Sequence, residues 1–167
     1  MTEPFWLTVA RSHVGIHEIP GSKSAPVIMQ WARDIGAPAY FNNDDIAWCA
    51  IYANRLMLAS GLPMAGKGFD LLRAKTFETW GVAIKEPSLG AVLVFSRPEG
   101  AHVGLYLGER PDAYRVLGGN QQNAVTDDAW IKRERLTATR WPDGQPLPSS
   151  GRVHLKSDGS PVSTNEA

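Results

Sequence analysis

The periodicity of the apolar residues changes once along the chain, at Gly81, and this change governs what the chain can become. Before it, apolar residues recur at spacings of three and four, the repeat of a helix with one buried face. After it they run continuously or alternate, as strands do. Phe5, Trp6, Val9, Ala10 and Val14 predict a helix from Pro4 to about Val14, ending near Gly15. A second helix is expected from Ser24, as N-cap, to Ile35, with Gly36 as its stop. Trp48, Ile51, Tyr52, Leu56 and Ala59 predict a third from Ile46 to Ser60, capped by Asp44 or Asp45 and ended by Gly61. Phe69 to Trp80 reads as a fourth.

Beyond Gly81, Ala91–Phe95 has the character of a central strand. Ala101–Leu107 alternates, placing His102, Gly104 and Tyr106 on one face and Val103, Leu105 and Leu107 on the core face. Tyr114–Gln121 returns as its antiparallel partner after a loop over 109–113. With that loop, Tyr106 meets Val116, Gly104 meets Gly118, and His102 meets Asn120; a slip of one residue brings Gln121 there instead. Short strands are expected at 124–126 and 131–136, with a turn at 127–130. From Asp143 onward the chain is rich in Pro, Gly and Ser, so 1–142 is expected as one domain and 143–167 as a loosely ordered tail.

Composition excludes several classes of function. Seventeen basic residues balance 17 acidic ones and no block of like charge occurs, which leaves no footprint for nucleic acid. No run of about 18 apolar residues is present, so no membrane insertion is expected. Glu3 and Pro4 stand where a secretory signal would be basic and then apolar. The expectation is cytoplasmic synthesis, with any action in the cell wall or periplasm following release or delivery. His13 and His17 are four apart, but Gly15 and Pro20-Gly21 interrupt any shared helix face; no metal and no cofactor are expected. Gly66-Lys67-Gly68 lacks the strand and the Ser/Thr of a phosphate loop.

The single cysteine, Cys49, carries the chemistry. At a helix N-terminus a thiol meets unpaired N–H groups and the positive end of the dipole, which favour the thiolate. A free cysteine is also often a small buried hydrophobe, so it needs partners to be a nucleophile. His102 is the candidate base, and Asn120, or Gln121 in the slipped register, the amide that orients it. The backbone N–H of Cys49 and the Asn42–Asp45 loop are candidate oxyanion donors. Trp48, Asp45 and Tyr106 are candidates to line a substrate groove.

Trp48-Cys49-Ala50 opening a helix, Pro87–Phe95 leading into His102-Val103-Gly104, Leu117-Gly118-Gly119-Asn120-Gln121, and Gly15-Ile16-His17-Glu18 near the N-terminus together resemble the CHAP-like peptidoglycan hydrolases of the papain-like superfamily. The resemblance covers roughly residues 4 to 142. It implies an α+β, papain-like fold with N-terminal helices packed on a small antiparallel sheet. It also implies cleavage of amide bonds in cell-wall peptides, by endopeptidase or amidase action, through Cys49, His102 and Asn120 or Gln121. Proteins of this kind occur as phage endolysins, virion-associated hydrolases and bacterial wall-remodelling or secreted effector enzymes. A monomer is expected, with delivery by a holin, a virion or a secretion machine. Two other readings compete: an inactive wall-binding module on the same fold, and a glycan-cleaving enzyme using Glu18 as its acid.

Overall fold

A computed structural model describes residues 3–21, 23–44, 46–148 and 151–162. The architecture is α+β. Three α-helices, α1 (Phe5–Ser12), α2 (Pro26–Asp34) and α3 (Cys49–Ala59), precede a six-stranded antiparallel sheet. Its strands are β1 (Val82–Ala83), β2 (Val92–Arg97), β3 (Gly100–Arg110), β4 (Ala113–Gln121), β5 (Ala124–Lys132) and β6 (Leu136–Trp141), in the spatial order β1-β6-β2-β3-β4-β5. No helix among the described residues is long and apolar enough to cross a membrane.

α3 is the central helix. Ile51, Tyr52, Leu56 and Met57 are buried on it, with Trp6, Leu7 and Ala10 of α1 and Ile28, Trp31 and Ala32 of α2 in the same core. Trp31 stacks near both Tyr52 and Trp48, at centroid distances of 5.0 and 6.1 Å. From the sheet, Val92–Phe95, Val103, Leu105 and Leu117 complete the core. Asn54 is buried and satisfied: its amide binds Ala65 on both sides and donates to the Leu71 carbonyl, tying the 62–72 connection to α3.

Several expected elements differ. The third helix begins at Cys49, not Ile46, and Trp48 occupies its N-cap without a side-chain cap. Asp44 is not that cap. It is buried, and its carboxylate accepts the N–H groups of Ile19 and Ala25, fastening the start of α2 to the loop before Cys49. Ser24 likewise does not cap α2, whose N-cap is Ala25 with Pro26 at the first position; the Ser24 hydroxyl accepts from the Asp44 N–H. Phe69–Trp80 forms two 3-10 segments, Gly68–Leu72 and Ala74–Thr79. An α-helix would pair the Leu71 carbonyl with the N–H of residue 75, but Asn54 takes that carbonyl.

In the sheet, β5 is one strand through the expected turn at 127–130, because β4 supplies partners as far as Ala113↔Lys132. The β3–β4 connection is shorter than expected, with Arg110↔Ala113 the last pair, and an irregularity between Tyr106 and Gly108 restores Tyr106↔Val116 as counted from the sequence. Nor is the described part of the C-terminal segment loose. Val153 and Leu155 hydrogen-bond the backbone of Glu109, and the Tyr106 hydroxyl accepts from the Val153 N–H. Arg133 and Arg152 flank the buried Glu109 carboxylate at 3.0 and 3.6 Å.

Candidate active site

The site is built where β3 and β4 separate. Their ladder runs from Arg110↔Ala113 to Leu105↔Leu117 and forms no pair beyond, toward His102. The first turn of α3 enters this region. Gly119 permits the approach, because a Cβ there would stand 2.7 Å from the Trp48 ring and 2.8 Å from Tyr52 Cβ. Cys49 is 3% exposed, and the backbone N–H of Val103, the residue after His102, is among the groups that act on its thiol. Burial raises the thiol above its ordinary value. The Val103 N–H, the nearby Arg97 guanidinium and the N–H groups of Ala50 and Cys49 itself pull the other way. Trp48 at the N-cap gives α3 no side-chain cap hydrogen bond.

His102 is 1% exposed, although it was expected on the face away from the core; this face of β3 is covered too. Both ring nitrogens are engaged. Nε2 lies 2.9 Å from Gln121 Oε1, and Nδ1 lies 2.8 Å from Arg97 Nη2. A guanidinium only donates, so Nδ1 is the acceptor and Nε2–H donates to Gln121. The amide orientation is fixed independently, because Gln121 Nε2 donates to the Val116 and Thr126 carbonyls and to the Thr126 hydroxyl. Burial, then the charge of Arg97, hold His102 down to about 4, against a smaller upward pull from Gln121. At rest, therefore, His102 is a neutral imidazole and Cys49 a thiol, and the ring is bonded to Arg97 and Gln121, not to the sulfur.

Gln121, not Asn120, supplies the orienting amide. Strict alternation along β4 puts Gly118 and Asn120 on the His102 face. Asn120, however, adopts a positive φ of 57°, a conformation asparagine tolerates better than most residues, and the ladder with β5 is irregular between Gly118 and Gln121. This kink turns Gln121 onto the Gly118 face, where a Cβ on Gly118 would come within 2.8 Å of Gln121 Oε1.

The groove candidates are distributed differently. Trp48 is fully buried and donates its indole N–H to Glu18 at 2.7 Å, so it anchors the start of α3 rather than facing a substrate. Tyr106 is also fully buried, with its hydroxyl on Glu109 and the Val153 backbone under the C-terminal segment. Asp45 lies outside the described residues. His13 and His17 part company: His13 Nδ1 sits 3.3 Å from the Tyr52 hydroxyl, and His17 Nδ1 lies 2.8 Å from the Glu18 carbonyl. Among the described residues no cluster of three or more His, Cys, Asp or Glu could hold a metal ion.

Comparison of the chain with protein-family models, curated proteins and solved structures finds no match. The geometry therefore carries the functional argument. Sequence reading missed two of its residues. Arg97 carries no motif signal, yet a two-residue hairpin gives Arg97↔Gly100 and Phe95↔His102, which places Arg97 on the His102 face. Glu18, weighed as a glycosidase acid, accepts from Trp48, and its backbone N–H bonds the Asn123 carbonyl beside the Gln121 turn.

Proposed function

We propose that this chain is a cysteine-dependent amidohydrolase of papain-like arrangement that cleaves amide bonds in peptidoglycan peptides. One observation carries the reading. The sole cysteine opens a buried helix, its thiol favoured toward the thiolate by the backbone N–H of the residue after a histidine whose orientation is held by a rigidly bound glutamine. The ordered motifs around Cys49, His102 and Gln121, with the resemblance they carry, point to cell-wall peptides as the substrate class.

In this scheme His102 Nδ1 takes the proton of the Cys49 thiol and the thiolate attacks the carbonyl carbon. The first-turn N–H groups of α3 stabilise the oxyanion. Collapse of the tetrahedral species breaks the C–N bond, and the amine departs with the proton from the imidazolium. Water, deprotonated by His102, then hydrolyses the thioester, releasing a carboxylate and restoring the thiol. Gln121 accepts from Nε2–H throughout and holds the ring in one orientation.

The burial of Cys49 and His102, both uncharged at rest, favours a second reading, a wall-binding module without activity. Product chemistry separates these readings. Mass spectrometry of peptidoglycan digested by the protein should show new amino and carboxyl termini. New reducing sugar ends would point instead to Glu18, and wall binding without any product to the inactive module.

A further inference from the structure

The Nδ1 atom that must accept the thiol proton is occupied by Arg97. This contact is an unusual use of a guanidinium. Among the described residues Arg97 pairs with no carboxylate, although its five donors suit one far better than a neutral imidazole. A second cation, Arg135, acts on His102 in the same sense, and among the described residues no carboxylate is among the charges acting on either His102 or Cys49. In a chain with no net charge, the candidate site is locally cationic. Arg97 is part-buried, beside the exposed tip Pro98-Glu99.

We infer that Arg97 is the binding residue for a carboxylate carried by the substrate near the scissile amide, and that pairing with this carboxylate draws the guanidinium off His102 Nδ1 and frees the nitrogen for Cys49. The inference rests on the hydrolase reading above and adds a substrate requirement to it: a peptide bearing a free carboxylate close to the bond that is cut. A substrate without that group leaves Arg97 on the base. Selectivity and activation thus come from one contact, since the ligand that binds Arg97 also unmasks the base.

The test compares muropeptides with free carboxylates against the same muropeptides converted to carboxamides. The wild-type protein should favour the free acids by about tenfold or more in kcat/KM, as expected when a charge-assisted pair is lost. Arg97→Gln should erase that preference, and Arg97→Lys, which keeps the charge but not the fork, should retain part of it. Equal wild-type cleavage of both forms, or a preference that survives in Arg97→Gln, overturns the role of Arg97 while leaving the hydrolase reading standing. Cleavage of neither form defeats both.

Alkylation of Cys49, the only thiol in the chain, reports on the same contact without turnover. The rate with iodoacetate relative to iodoacetamide should fall several-fold in Arg97→Gln. An unchanged ratio, or a thiol that neither reagent reaches, contradicts an anion site beside the sulfur.

Discussion

His102 is neutral in the folded protein because its ring is buried and a guanidinium points at it, and this gives it a definite pH signature. Its folded value, about 4, lies below the 6.5 of an unfolded histidine. The unfolded chain therefore binds the proton first as pH falls. The associated stability is complete above about pH 6.5 and is lost as pH drops toward 4. A difference of this size corresponds to about 3 kcal/mol at most. Urea denaturation at pH 7 and pH 4.5 should show wild type losing about 2–3 kcal/mol more than His102→Gln over that interval. Equal losses in the two proteins would mean that His102 is not buried as a neutral group. At this scale the sequence disclosed Cys49 and His102, since a sole thiol before a helical stripe and a histidine heading an alternating strand are local signals. It left Asn120 and Gln121 undecided, because a single positive φ reverses side-chain alternation and no composition rule announces one. Arg97 was hidden by its setting in a polar turn.

At the level of elements, the site depends on how firmly the start of α3 is held against the sheet. Trp48 does this from the N-cap position. Its ring fills the space left by Gly119, and its indole N–H is satisfied by Glu18. Residues 15–18 in turn are laid along β5, with the Val125 N–H donating to the Ile16 carbonyl at 2.7 Å. Glu18 thus couples the helix carrying Cys49 to the turn carrying Gln121. Glu18→Ala leaves a buried indole N–H without an acceptor and should cost about 1–3 kcal/mol, whereas Glu18→Gln keeps an oxygen there and should recover most of it. Thermal or urea unfolding of the two variants checks this. If Glu18→Gln is as unstable as Glu18→Ala, the hydrogen bond is not what Glu18 contributes. Helices α1 and α2 were legible from periodicity alone. The 68–79 segment and the unbroken β5 were not, because their form is imposed by distant partners: Asn54 for the first and β4 for the second.

For the whole molecule, helices before Gly81 and an antiparallel sheet after it were readable from the single change of period. The covering of the second sheet face was not. A polar C-terminal stretch gives no sign that Val153 and Leu155 will bond to Glu109, or that Gly108 is a glycine because Leu155 lies across it. That covering buries Tyr106, a residue that alternation alone assigned to an open face. The fold buries both the thiol and the histidine, and the proposed activity requires the two to act together. The direct measurement is the rate of peptide release from peptidoglycan by wild type, Cys49→Ala and His102→Ala, each shown by circular dichroism to be folded. Both variants should lose about a thousandfold or more, since neither group can act without the other. Release by folded Cys49→Ala at the wild-type rate would contradict the mechanism.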